Sequence, residues 1–296
     1  MNIKRIIAVL SVIILIATSF AACKDEEDKE AMATVKNTIT ASESQTQNTT
    51  EKQTNNTTAQ STTEAETQVQ TTQRQIVSVT IPEGYSFMQI ANKLEEKGVC
   101  SAKDFYETAQ SYSVKSFSVP SSSDRCFKFE GYLFPDTYEF YKDDDPQSVL
   151  IKMLNNYAAK SGMPTDKQLI IASIIEKETR SDSHMKMVSS VFYNRLNEGM
   201  LLQADSTREY VNNYITGNSL LSGNTSKYAA LYNTYKCQLP AGPICSPGAR
   251  AIEAAKNPSI SEYLYYFFGN DNDNHYSKTY EEHEQQMKKY GVQYGN

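Results

Sequence analysis

A short apolar run that ends in two glutamates dominates the hydrophobic pattern of the C-terminal half of the chain. It covers residues 165–179 and reads TDKQLIIASIIEKET. Thr165 followed by Gln168 matches a capping box, so we expect a helix to begin there. The apolar residues that follow leave almost no polar face, which predicts a helix buried inside a domain.

The two glutamates at the end of this run, Glu176 and Glu178, lie roughly 200° apart on a helix that turns about 100° per residue. Glu178 continues a stripe of three isoleucines at positions 171, 174 and 175, whereas Glu176 lies on the other side. A carboxyl group among isoleucines is costly to ionise, so its pKa should rise. Such a pKa suits a general acid that works near neutral pH. The alternative is a fraying helix end with two solvated glutamates.

Other periodic segments predict a mixed α/β domain over residues 121–296. Residues 263–268, YLYYFF, are strongly β-prone and predict a core strand. Amphipathic patterns predict further helices over residues 147–158, 188–196 and 249–256.

Polar residues alternate along the segment after the 188–196 helix. In an extended conformation Gln203, Asp205 and Thr207 would project to one side, as donors and acceptors for sugar hydroxyls. The alternative is a turn with ordinary polar residues.

Residues 76–120 carry a separate, shorter pattern. Alternating apolar residues predict a strand over residues 77–81, and Phe117 with Val119 predicts a returning strand. Two capping sequences between them, at Ser86 and Ser101, predict two helices. Strand–helix–helix–strand in this length resembles a LysM-like module, a type associated with binding wall glycans. A packing subdomain without a ligand is the alternative.

The first 75 residues have the pattern of an export signal followed by a linker. A positive start and an apolar run over residues 6–20 predict a signal peptide over residues 1–22. Small residues before Cys23 resemble the bacterial lipobox, although Phe20 replaces the usual Leu, so we expect Cys23 to be lipidated. Ordinary cleavage and an uncleaved anchor are the alternatives. The rest of residues 23–75 is rich in Thr, Gln, Asn and Ser, which predicts a disordered linker.

Composition and residue spacing bear on nucleic-acid binding, metal binding and disulfide formation. A net charge of −6 and a pI near 5.3 give no support for nucleic-acid binding. The three histidines have no metal-ligand spacing, so neither a metal nor a cofactor is expected. Four cysteines could pair in an exported protein, and Cys237 with Cys245 is favoured over Cys100 with Cys126 because that pair brackets a turn.

Seven segments in order resemble the YceG-like family, the endolytic murein transglycosylases (MltG), over about residues 127–290. They read EGYLFPDTY, ASIIEKET, VFYNRLNEGMLLQADST, YNTY, LPAGPICSPG, YLYYF and HYSKTYEEH. The resemblance implies a membrane-attached enzyme that cuts the β-1,4 bond between N-acetylmuramic acid and N-acetylglucosamine and leaves a 1,6-anhydro end. It also implies peptidoglycan strands as substrate, peptidoglycan synthases as partners, and a place on the outer face of the bacterial cytoplasmic membrane. The fold class expected is α+β, a LysM-like module before a mixed α/β catalytic domain.

The resemblance also assigns site residues. The family's catalytic glutamate aligns with Glu178, and Glu176 becomes a supporting residue at the substrate site. We expect five residues to orient the sugars: Gln203, Asp205, Thr207, Asn233 and Tyr235. The sequence Ala204-Asp205-Ser206 stands where the family pattern is Thr-Asp-Pro.

Two other functions remain open at this point. A muramidase would hydrolyse the same bond with two carboxylates, about 5–5.5 Å apart for retention or 6.5–9.5 Å for inversion. Asp205 or Asp136 would then be the partner of Glu178. A wall-binding lipoprotein without enzymatic activity is the third hypothesis.

Overall fold

The structure is a computed structural model that describes residues 74–120 and 123–292. The predicted signal peptide, the lipidated Cys23 and nearly all of the predicted linker lie outside the described residues. Among the residues that are described, no helix has both the length and the apolar character needed to cross a membrane.

The N-terminal part of the described chain forms a strand and two helices, β1 (Ile76–Ile81), α1 (Phe87–Glu96) and α2 (Ala102–Ser111). Both predicted caps are confirmed, because Ser86 accepts from the backbone N–H of Gln89 and Ser101 from that of Asp104. The apolar faces of the helices are buried, so this region contributes to the hydrophobic core.

The partner of β1 is β2 (Asp136–Tyr141), and the two strands pair antiparallel with Ile76 opposite Tyr141 and Ile81 opposite Asp136. The strand predicted at Phe117 and Val119 is wrong, because neither residue lies in a strand. The Phe117 ring instead packs on Tyr157, with 5.3 Å between ring centroids. The order strand–helix–helix–strand is therefore present, but its last strand comes from after residue 120. Likeness to a LysM module stays a prediction.

A buried helix lies at the centre of the remaining fold. Helices α3 (Pro146–Lys160), α4 (Asp166–Glu178) and α5 (Asp182–Asn197) follow β2 in the chain. Helix α4 begins with the predicted capping box of Thr165 and Gln168, and each residue from Leu169 to Ile175 is buried. The expectation of a helix that is buried on all sides is confirmed.

Three helices pack around α4. They are α5, α6 (Asp205–Tyr210) and α8 (Ala249–Lys256). A π-helical turn, a 3-10 turn and α7 (Thr225–Tyr232) connect α6 towards α8. The C-terminal end of α4 lies at the surface, where Glu176 and Glu178 are partly exposed.

The chain ends, within the described residues, in a hairpin of β3 (Tyr265–Phe268) and β4 (Asn274–Ser277), followed by α9 (Tyr280–Lys289). The strand predicted over residues 263–268 is therefore shorter. Of its four residues only Phe267 is buried, and Phe268 is 58% exposed, so β3 is not a core strand. Its exposed face is available to a ligand.

The four cysteines of the described chain carry free thiols, and neither of the suggested pairs is bridged. The Cys245 thiol is buried and donates to the carbonyl oxygen of Ser173 at 3.1 Å.

Candidate active site

The carboxyl group of Glu178 lies at the end of α4, partly exposed, with a hydroxyl on each of its oxygens. Ser206 in α6 donates to Oε1 at 2.7 Å, and Tyr266 in β3 donates to Oε2 at 2.9 Å. Because each carboxyl oxygen accepts from a different element, the two hydrogen bonds hold the carboxyl plane in one orientation.

Burial raises the pKa of the Glu178 carboxyl above its ordinary value, and the hydrogen bonds from Ser206 and Tyr266 act in the opposite direction. The negative charges of Asp205 and Glu209 raise this pKa further. The balance favours a carboxyl group that holds its proton at a higher pH than a solvated glutamate does. Such a group can both donate and accept a proton near neutral pH.

Two open clefts meet at Glu178. The first, which we call the polar half, has a volume of about 840 Å³, and the second, the aromatic half, has about 830 Å³. Glu178, Phe268 and Asn274 line both. The carboxyl group therefore lies where the two halves join, with space on both sides for a chain molecule.

The aromatic half is lined by exposed rings and by a small polar cluster. Tyr235 is 40% exposed and Tyr280 is 56% exposed, and both lie along this half. The Tyr235 hydroxyl donates to Asp205 at 2.8 Å, and Arg208 forms an ion pair with Asp205 at 3.0 Å. Exposed apolar surface in a concave site is typical of ligand binding.

Glu176 lines the polar half but is tied to the protein. Its Oε2 accepts from the backbone N–H of Gly248, the N-cap residue of α8, at 3.0 Å. A side chain at Gly248 would collide with Glu83, since an added Cβ would lie too close to the Oε1 of Glu83. Burial raises the pKa of Glu176 as well, and the Gly248 N–H opposes this shift. The bond joins the end of α4 to the start of α8.

The extended row predicted for Gln203, Asp205 and Thr207 is wrong. Asp205 begins α6, so the alternation of an extended chain ends there. The Thr207 side chain is fully buried and donates to the carbonyl oxygen of Ala204 at 2.7 Å, which points it away from the cleft. Gln203 does line the aromatic half and has a left-handed backbone with a φ of 52°. This segment forms the start of a helix with local hydrogen bonds, and not the extended conformation that we expected.

Of the other two predicted residues outside α4, one lines the cleft and the other does not. Tyr235 lines the aromatic half, whereas Asn233 lines neither half and accepts from the backbone N–H of Tyr235 at 3.0 Å. Asp136, one of the two carboxylates suggested for hydrolysis, lies in β2 and is bound to Lys160 and Asn156. It lines neither half of the cleft.

Sequence reasoning missed Ser206, Tyr266 and Phe268. Ser206 was visible only as a departure from a family pattern, and the two aromatics were assigned to a core strand. One signal was available, because Tyr266 and Phe268 are two residues apart and share a face of any strand. Within residues 74–120 and 123–292, no three His, Cys, Asp or Glu residues lie close enough together to hold a metal ion.

Comparison with known proteins gives a consistent result. The model of the YceG-like family matches residues 27–289. A Bacillus subtilis protein named endolytic murein transglycosylase is 32% identical over 72% of this chain and 64% of its own length. A Streptococcus pneumoniae protein of the same name is 29% identical over 64% of this chain and 40% of its own length. The chain therefore spans less than two thirds of the length of these relatives.

A solved structure resembles the fold as well. The crystal structure of a yceG-like protein from Listeria monocytogenes aligns with a TM-score of 0.60 and 31% sequence identity. The alignment covers 71% of this chain and 76% of that one.

Proposed function

The chain belongs to the YceG-like family, and from that premise we propose that it is a lytic transglycosylase that cuts peptidoglycan strands internally. The observation that carries the proposal is the position of Glu178, a partly buried carboxyl group at the junction of two open clefts. An enzyme that cuts inside a polymer needs room for sugars on both sides of the reacting bond. The names of the relatives from B. subtilis and S. pneumoniae support the same substrate.

In the first step, protonated Glu178 donates its proton to the glycosidic oxygen between N-acetylmuramic acid and N-acetylglucosamine. The C1–O bond breaks with its electron pair going to that oxygen, and positive charge develops at C1 of the muramic residue. Ser206 and Tyr266 stabilise the carboxylate that forms, because their hydroxyls already point at its oxygens.

In the second step, the Glu178 carboxylate takes the proton of the C6 hydroxyl of the same muramic residue, and the C6 oxygen attacks C1. The product is a 1,6-anhydro sugar, and Glu178 is protonated again. Because water does not take part, one carboxyl group suffices for both steps.

The second candidate function is hydrolysis of the same bond, and the position of Asp205 favours it. Asp205 lies in the aromatic half of the cleft near Glu178 and raises the pKa of that carboxyl. Its bonds to Arg208 and Tyr235 tie its carboxyl group to the protein, which suits a structural role better than attack on a sugar. Asp136 is a poor partner, since it lines neither half.

Digestion of purified peptidoglycan strands tests these functions. Mass spectrometry should find 1,6-anhydro ends, and Glu178→Gln should lower the rate by about 10²–10⁴-fold because it removes the acid. The matched comparison is Glu176→Gln, which should lose far less, since an amide oxygen still accepts from the N–H of Gly248. Reducing ends in place of anhydro ends would favour hydrolysis. Binding without any cleavage by the wild type would favour a wall-binding protein.

We further propose that the enzyme is anchored to the outer face of the cytoplasmic membrane through a lipid on Cys23. The support is the sequence of residues 1–23, with residues 24–75 as the linker that separates the anchor from the enzyme. Peptidoglycan synthases are proposed partners on family resemblance alone. Replacing Cys23 with Ser should release the protein from the membrane fraction, and unchanged membrane association would favour an uncleaved N-terminal anchor.

A further inference from the structure

Most arginines that line the cleft are bound to other groups of the protein. In the aromatic half, the guanidinium of Arg208 is paired with Asp205 at 3.0 Å, and that of Arg195 donates to backbone carbonyl oxygens. In the polar half, Arg250 is likewise paired, with Asp182 at 3.0 Å and with Glu83 at 3.6 Å. These cations are largely neutralised by the protein itself.

Arg180 is different. It is exposed, lines the polar half two residues after Glu178, and forms no ion pair or hydrogen bond through its guanidinium with any residue in the described ranges. Lys177 adds a second positive charge on the same side. Its Nζ contacts the carbonyl oxygen of Gly84 at 3.4 Å, and its charge lowers the pKa of Glu176. The polar half, which Glu83 and Glu176 also line, therefore presents the Arg180 guanidinium and the Lys177 ammonium group to a ligand.

The backbone that carries Arg180 is held in place. Helix α4 ends at Glu178, and Thr179 takes an extended conformation with a φ of −156°. The carbonyl oxygen of Arg180 then accepts from Arg250 Nη1 at 3.1 Å, and the same nitrogen donates to Asp182 at 3.0 Å. Because Arg250 fixes both sides of this turn, the Arg180 guanidinium extends into the cleft from a defined point.

The proposed substrate has a group that matches this charge. The muramic residue whose bond is cut carries a lactoyl ether at C3, and in peptidoglycan a short peptide with free carboxylates extends from it. That residue must lie beside Glu178 during the reaction, and Arg180 lines the polar half of the cleft two residues after Glu178. A guanidinium binds a carboxylate through two parallel hydrogen bonds, which makes Arg the suitable residue for this task.

We propose that Arg180, assisted by Lys177, binds a carboxylate of the peptide stem on the muramic residue next to Glu178. The inference rests on the proposed function in that it takes a peptidoglycan strand as the ligand. It adds a subsite that recognises the stem and therefore distinguishes stem-bearing strands from bare glycan.

Binding to the full-length Glu178→Gln protein tests the proposal without cleavage of the probe. Three glycan strands of equal length are compared by fluorescence anisotropy: one with peptide stems, one with stems removed, and one whose stem carboxylates are converted to amides. The stem-bearing strand should bind about tenfold more tightly than either of the others. Adding Arg180→Gln should abolish that difference, and Arg180→Lys should retain part of it.

The matched control is Lys103→Gln, which removes one positive charge from an exposed position on α2, outside the cleft. It should leave the tenfold preference intact. The proposal is overturned if Arg180→Gln keeps the preference, or if amidated stems bind as well as stems with free carboxylates. If the wild type cuts bare glycan but does not prefer stem-bearing strands, only the proposed stem-binding subsite is contradicted. If no strand is bound or cut, the proposed function fails with it.

Discussion

The hydroxyl of Ser206 donates to Oε1 of Glu178 across 2.7 Å. The start of α6 therefore supplies a contact to the proposed catalytic acid. Tyr266 supplies the second, on the other oxygen.

Replacing Ser206 with Ala should move the alkaline limit of activity to higher pH. The hydrogen bond from Ser206 lowers the pKa of Glu178, so its loss raises that pKa. An acid catalyst must be protonated, and activity therefore falls as the pH rises through its pKa. The rate at low pH should also fall, by about tenfold, because the carboxyl group loses part of its orientation. The measurement is the pH profile of kcat on glycan strands.

The control for this prediction is Ser111→Ala, which removes an exposed hydroxyl that bonds only to carbonyl oxygens of its own helix, α2. Its pH profile should match that of the wild type. An alkaline limit that stays in place in Ser206→Ala would show that the hydroxyl does not act on the reacting form of Glu178.

Replacing Phe268 with Ala should weaken glycan binding without destabilising the fold. Phe268 is 58% exposed and lines both halves of the cleft, so little of its ring contributes to the core. KM should rise about five- to tenfold, while the urea midpoint changes little. Ile260→Ala is the matched control, because Ile260 is fully exposed and lines neither half. A lowered urea midpoint with an unchanged KM would contradict the prediction.

Replacing Thr207 with Val should lower stability rather than substrate affinity. The buried hydroxyl donates to Ala204, lies 2.9 Å from the hydroxyl of Thr234, and accepts from the Thr234 N–H at 3.1 Å. Valine leaves the buried Thr234 N–H without its acceptor and removes one bond each from the Ala204 carbonyl oxygen and the Thr234 hydroxyl, at a cost of about 1–3 kcal/mol in the free energy of unfolding. Thr207→Ser keeps the hydroxyl and should lose less. Denaturant unfolding measures the first effect, and an increased KM in Thr207→Val with wild-type stability would restore the sugar-binding role predicted from the sequence.

Replacing Glu130 with Gln should flatten the dependence of stability on pH. The Glu130 carboxyl is buried, and it accepts from the N–H of Phe87 at the start of α1 and from the hydroxyl of Tyr210 in α6. Burial raises its pKa to about 8, from an ordinary value of 4.5. Between these values the folded protein holds a proton that the unfolded chain releases. The contribution of Glu130 to stability is therefore present at low pH and is lost as the pH rises towards 8.

Urea unfolding of the wild type and Glu130→Gln between pH 5 and pH 8 measures this effect. The difference between the two slopes should approach about 1.4 kcal/mol per pH unit. Taking the difference cancels the contribution of His283, whose pKa is lowered by burial and which acts with the opposite sign. Equal slopes for the two proteins would show that Glu130 does not change its proton occupancy on folding.

Local signals predicted much of the helical structure. The capping box at Thr165 and Gln168 and the apolar run behind it were sufficient to locate α4 and to predict its burial. The helix over residues 249–256 also has the predicted bounds. These features depend on residues three or four positions apart, whose interactions are present in any chain with that sequence.

The segment around Thr207 shows where such reasoning stops. Alternation of polar residues predicted an extended row, but the choice between a strand and a short helix depended on packing. Thr207 joins Thr234, 27 residues further on, in a buried pair of hydroxyls. The pairing of β2 with β1 could not be predicted either, because about 60 residues separate the two strands in the chain. Period and capping carry no information about which distant segment becomes the neighbour.

For the candidate site, the sequence by itself determined that Glu178 ends a buried helix on a different face from Glu176. Only the tertiary structure decided what surrounds its carboxyl group. Ser206 and Tyr266 reach it from 28 and 88 residues further along the chain, and the hairpin that carries Tyr266 also forms the wall shared by both halves of the cleft. The physical reason is that helix formation is set by neighbours in the chain, whereas the pKa and orientation of a side chain are set by neighbours in space.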